Sequence, residues 1–72
     1  MNGVELLKHE LKRKFPTAKV DVTIDSDGLY VIEIYRDWGK FDKQAQYAVT
    51  YAALDKIPLE LLAKVKHIET RS

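Results

Sequence analysis

The chain has 72 residues, 46% of them hydrophobic, which suffices for one compact domain with a thin core. It contains no cysteine, so disulfides, thiolate metal sites and cysteine nucleophiles are excluded. Twelve Lys and Arg stand against eleven Asp and Glu, a net charge of +1 that argues against strong non-specific attraction to nucleic acid or acidic lipid.

No stretch approaches the ~20 apolar residues of a membrane span, and the start lacks the apolar core of a signal peptide. Cysteine-free usage fits the cytosol, so the expectation is a single cytoplasmic domain over residues 1–72. In a domain this small nearly every periodic apolar residue is needed for folding.

Residues 3–15 read as an amphipathic helix, with Val4, Leu7, Leu11 and Phe15 on one stripe and Leu6 beside it. Asn2 is the N-cap, Glu5 suits the positive first turn, and Lys12, Arg13 and Lys14 suit the C-terminal end. Pro16 stops the helix by pushing Phe15 out of the α region. From Lys19 to Asp25 the apolar residues alternate strictly, as in a strand with one buried face. Ser26-Asp27-Gly28 signals a turn, and a second strand follows from Leu29 to Arg36. A two-residue turn would set Val22 against Glu33. A three-residue loop with Gly28 in the left-handed conformation instead pairs Ile24 with Tyr30, Val22 with Ile32 and Val20 with Ile34, giving one apolar face.

Asp37-Trp38-Gly39-Lys40 breaks the strand, and Asp42 caps a helix expected from about Lys43 to Leu54. Ala45, Ala48, Val49 and Ala52 form a stripe of small side chains that lets this helix approach a sheet closely. Pro58 suits the first turn of a further helix, with Leu61, Leu62 and Val65 on its apolar side, and residues 67–71 supply a short last strand.

Among candidate sites, His9 and His67 are the two histidines, and His9 has only Glu5 at helical spacing for a metal pair, too few ligands for structural zinc. Asp21 and Glu33 face each other on the exposed side of the hairpin, with Lys19 near enough to neutralise them. An open face lacks the concave, water-poor setting that acid/base chemistry requires. No nucleophile–base spacing and no phosphate-binding glycine loop is present. Lys8 and Lys12 share a helix face and, with Arg13, Lys14, Lys19 and the stacking ring of Tyr35, form a candidate phosphate-binding group. Trp38, Phe41, Tyr47 and Tyr51 form an aromatic cluster suited to a protein interface, with Trp38 the foremost anchor because its loop is expected to expose it.

Taken together, Glu5-Leu6-Leu7-Lys8, Lys14-Phe15-Pro16, the Asp27-Gly28 hairpin, Phe41-Asp42, Tyr51-Ala52-Ala53-Leu54 and Lys66-His67-Ile68-Glu69-Thr70 resemble the BolA family over most of the chain. The resemblance implies an α-β-β-α-α-β fold like a KH domain of the second type. It also implies a monothiol glutaredoxin partner and a C-terminal histidine ligand to a shared iron–sulfur cluster, a position that His67 matches. Lys43 stands where the family's Phe-x-Gly loop has glycine, Gln44 and Gln46 replace an Arg-His run, and the second cluster ligand has no counterpart. The GXXG loop of nucleic-acid-binding KH domains is absent too, since Trp38-Gly39-Lys40 supplies one glycine.

The expectation is therefore an α+β domain of order α-β-β-α-α(-β), an antiparallel hairpin sheet covered on one face by helices. Its expected core is Val4, Leu7, Leu11, Val20, Val22, Ile24, Ile32, Ile34, Val49, Leu62 and Val65. The expected function is a non-catalytic binding or regulatory module, without cofactor, that meets a protein partner through Trp38, Tyr35, Phe41 and Tyr47. The alternative is a KH-like domain binding single-stranded nucleic acid through Lys8, Lys12, Arg13 and Tyr35. No metal site is expected, and His67 is the one candidate ligand. An open sheet edge also offers a place for a partner strand or a second copy.

Overall fold

Asn2 starts the first helix: its Oδ1 accepts the Glu5 N–H at 2.8 Å, satisfying a donor that a helix N-terminus leaves free. In the computed structural model, which describes residues 2–72, helix α1 runs Gly3–Lys14 and buries Leu7 and Leu11 completely. Gly3 is required by packing, because a Cβ there would collide with the Tyr30 hydroxyl. Pro16 ends the helix as expected, with Phe15 turned out of the α region.

Strands β1 (Lys19–Ile24) and β2 (Tyr30–Tyr35) pair antiparallel in the register that the apolar alternation selects: Ile24 with Tyr30, Val22 with Ile32, Val20 with Ile34. Gly28 takes φ 78°, and Asp25 organises the turn by accepting the Asp27 and Leu29 N–H groups on Oδ1, each at 2.9 Å. Beyond β2, Asp42 caps helix α2 (Lys43–Ala53) by accepting the Ala45 N–H at 2.8 Å. A single helical turn, α3 (Leu59–Leu62), follows Pro58.

Strand β3 (Val65–Arg71) closes a three-stranded sheet of order β1-β2-β3 and runs parallel to β2. A parallel neighbour needs a crossover, and α2 with α3 supplies it. β3 begins earlier than the expected 67–71, so Val65 belongs to this strand and not to the apolar side of α3. It pairs with Tyr30, and the register slips by a bulge before His67 meets Val31.

Burial alternates along the strands. Val20, Ile32, Ile34, Ile68 and Thr70 are buried while their neighbours are partly or fully exposed, so the helices share one face of the sheet and the other face is open. Leu7, Leu11, Phe15, Ala18, Trp38, Ala53, Leu54 and Ile57 complete the core. Several expected core positions differ. Ile24 is 55% exposed, because it ends β1 beyond the cover of the helices. Val4, Val22, Val49, Leu62 and Val65 are half-buried at the core's margin. The side of α2 that meets the sheet carries Gln46, Thr50 and Ala53, and the alanines of the small stripe at 48 and 52 face outward. Polar side chains are buried there because each finds a partner: Thr50 Oγ1 donates to the Gln46 carbonyl at 2.8 Å, and Gln46 itself bonds at both ends of its amide.

Candidate functional site

β3 is an edge strand, with β2 on one side and no strand on the other. Between it and α2 opens a groove of about 340 Å³ lined by Tyr47, Tyr51, Lys66, His67 and Ile68. Tyr47 and Tyr51 lie one helical turn apart and so share a flank of α2. Gln46 and Thr50 take the buried stripe, which turns this flank toward β3 and leaves Tyr51 50% exposed. The groove thus pairs an aromatic wall with a strand edge.

The far end of that edge is sealed. The Arg71 carbonyl accepts the Arg36 N–H, so it points toward β2, and successive carbonyls of a strand point to opposite edges. The Thr70 carbonyl therefore faces the free side, where the Lys43 ammonium donates to it. Lys43 also reaches Thr70 Oγ1 at 3.1 Å and Glu69 Oε1 at 3.5 Å. Thr70 Oγ1 in turn donates to Gln46 Oε1 at 2.6 Å, and Gln46 Nε2 donates to the Phe41 carbonyl at 2.8 Å. This network binds the start of α2 and the preceding loop to the end of β3. It leaves the edge open only beside Lys66–Ile68.

The open face of the sheet is charged. Asp21 stands opposite Glu33, as the hairpin register requires, and Glu33 stands opposite Glu69 on β3. Lys19 lies over the Tyr35 ring at 5.5 Å rather than neutralising the carboxylates, and that role falls to Arg71, 3.5 Å from Glu33. The His67 imidazole, 3.1 Å from Glu69, is the main cause holding the Glu69 carboxyl below its usual range, with Lys43 adding to it. Lys66 bonds Asp25 at 2.9 Å and, with the Leu29 N–H, lowers the Asp25 pKa. Tyr35 donates to Glu33 at 3.0 Å, which raises its phenol above the ordinary value of 10.0.

Of the residues expected to meet a partner, Trp38 is not exposed. It is 5% accessible, packs edge-on to Phe15 with centroids 6.0 Å apart, and donates from Nε1 to the Arg71 carbonyl at 3.1 Å. Arg36 stacks over both rings, 4.8 Å from Trp38 and 4.9 Å from Phe15. The loop holds its indole inward because Gly39 turns with φ 59° and Asp37 Oδ1 accepts the Gly39 N–H. Tyr35 is half-buried on the open face, Phe41 is 48% exposed at the start of α2, and Tyr47 walls the groove. These four side chains form no single surface; Tyr47 belongs with Tyr51 instead.

The nucleic-acid set is divided as well. Lys12 donates to the carbonyls of Ala18 at 2.6 Å and Pro16 at 3.3 Å, and Arg13 pairs with Glu10 at 2.9 Å. Lys8 is exposed on α1, which covers one face of the sheet, while Tyr35 lies on the opposite face. Around His67 the neighbouring groups are Glu69 and the groove residues, and no group of three His, Asp or Glu side chains able to hold a metal ion occurs among the described residues. For a shared iron–sulfur cluster this environment offers one imidazole, His67, whose Nε2 lies 3.1 Å from Glu69.

No family model, no curated protein and no solved structure matches the chain. No helix among the described residues is long and apolar enough to cross a membrane. Lys43, Lys66 and Ile68 were not singled out as partners of Tyr47 and Tyr51 by sequence, since their meeting depends on where β3 lies against α2. The one signal was the spacing of the two tyrosines.

Proposed function

We propose that the chain is a non-catalytic binding module that acts on a protein partner through the side where α2 meets β3. The observation that carries this reading is the groove of about 340 Å³ between the tyrosine wall and the unpaired strand edge. Tyrosines supply large contact area with a polar tip at low entropic cost, which is why they anchor protein interfaces. The α-β-β-α-α-β order is also the one that the BolA resemblance implies, and it supports an adaptor role without naming the partner.

The test is capture from nuclease-treated host lysate by the immobilised chain, read by mass spectrometry, with wild type and Tyr51→Ala side by side. Tyr51 is half exposed, so its removal leaves the circular dichroism spectrum unchanged. A defined protein is expected on the wild type, with recovery reduced about tenfold on Tyr51→Ala. A catch that disappears with nuclease, or one indifferent to Tyr51, overturns the reading.

A further inference from the structure

The groove has a backbone component that limits what it can hold. A strand edge presents unpaired N–H and C=O groups, and an extended segment satisfies them by adding as a further strand. Here Lys43 occupies the Thr70 carbonyl, so the usable edge runs only beside Lys66–Ile68. Ile68 faces the helices and His67 faces the open side, so the side chains of an added strand would alternate between two environments. Those turned to the helices meet Tyr47, Tyr51 and Ile68, an apolar and aromatic surface. Those turned to the open side meet His67, and Lys66 stands at the groove's end. The groove lining contains an ammonium, an imidazole and two phenols, and Glu69 stands on the open face two residues beyond His67. Lys66 and His67 have carboxylate partners already, in Asp25 and Glu69, yet both remain about half exposed at their side chains and open to a second acceptor.

Building on the adaptor reading, we propose that this groove takes a short extended segment of a partner protein, added as a fourth strand on β3, in which apolar and acidic side chains alternate. The apolar ones enter between Tyr47 and Tyr51, and the acidic ones lie beside His67 and Lys66. A second copy of the chain fits less well. Pairing β3 with itself about Ile68 sets Lys66 against Thr70, whose carbonyl Lys43 holds, and pairing about His67 sets two histidines against each other.

The test uses the full chain labelled with ¹⁵N and three capped peptides: one alternating Val and Glu, one alternating Val and Lys, and the Val–Glu peptide with alternate amides N-methylated. The Val–Glu peptide is expected to shift the amides of Lys66, His67 and Ile68 and those near Tyr47 and Tyr51. It is expected to bind roughly fivefold more tightly than the Val–Lys peptide, the scale of a few exposed ion pairs. N-methylation, which removes the strand's donors, is expected to abolish the response. Equal binding of the Glu and Lys peptides, shifts confined to α1, or a dimer by light scattering that the Val–Glu peptide does not dissociate each overturns strand addition. Silence of all three peptides while Tyr51→Ala still abolishes capture overturns strand addition and leaves the module reading standing. Capture indifferent to Tyr51 overturns both.

Discussion

Replacing Trp38 by alanine removes an indole that packs against Phe15, carries the Arg36 guanidinium and bonds the Arg71 carbonyl. Large-to-small changes of buried aromatics destabilise by about 3–5 kcal/mol. In a domain this small that is a large share of the whole, so Trp38→Ala should be mostly unfolded at moderate urea. Trp38→Phe keeps a ring against Phe15 and gives up only the Nε1 donor. The Arg71 carbonyl still accepts the Arg36 N–H, so no acceptor is left bare and the loss should stay near 1 kcal/mol. Urea unfolding followed by tyrosine fluorescence or circular dichroism separates the two variants. An alanine variant as stable as wild type would show that the indole lies outside the core. A binding deficit in Trp38→Ala therefore reports folding, and the surface must be probed through Tyr51.

At the scale of the element, α2 and β3 hold each other through polar groups. Lys43→Ala removes the ammonium from the Thr70 carbonyl and Oγ1, and charge-assisted bonds of this kind contribute about 1.5–3 kcal/mol each when well formed. Its side chain is 57% exposed, so the effect should fall below that range, near 1 kcal/mol. The clearer consequence is the freed edge, which should make the variant associate with rising concentration while wild type does not. Light scattering over a concentration series checks this, and a variant that behaves as wild type does would remove Lys43 from the role of edge guard.

This element also shows where sequence reading stops. The hairpin was legible because period-two alternation and Gly28 leave one register with an apolar face. The ends of α1 and α2 were legible because Asn2, Pro16 and Asp42 act on their own neighbourhood. The buried side of α2 was not, because hydropathy points to Ala45, Ala48, Val49 and Ala52, whereas Thr70 on a strand 24 residues away supplies a partner that lets Gln46 go inside. Of the candidate site, the tyrosine pair was readable from helical spacing. Its opposite wall was not, since a parallel crossover leaves no local mark of where β3 lands.

Across the whole molecule, three ion pairs tie β3 to the rest, Lys66–Asp25, Lys43–Glu69 and Arg71–Glu33, and two of the carboxylates are held strongly enough to titrate low. Lys66 bonds Asp25 at the hairpin turn, and Lys43 and His67 flank Glu69. Both carboxyls titrate below their ordinary values of 3.8 and 4.5 in the folded chain. A carboxyl with a lowered folded pKa favours the native state above its unfolded pKa, and that contribution is lost as pH falls through the folded one. Tyr35 acts in the opposite sense: its folded pKa is raised above 10.0, so its contribution is present below that value and lost as pH rises through the folded pKa. The melting temperature should therefore be flat between about pH 5 and pH 9 and decline on either side. Asp25→Asn should lower it on the plateau, and the difference should vanish as pH falls through the folded Asp25 pKa and the wild-type carboxyl is itself protonated. The two backbone N–H groups that Asp25 accepts find an acceptor in the asparagine oxygen too, so the turn is largely kept and the plateau loss reports the missing charge. The comparison with Lys66→Met isolates the ion pair: it removes the cation and leaves the turn intact. If Lys66→Met keeps the wild-type acid limb unchanged, the pair to Asp25 contributes nothing to acid stability, and the turn alone accounts for the carboxyl's depressed titration.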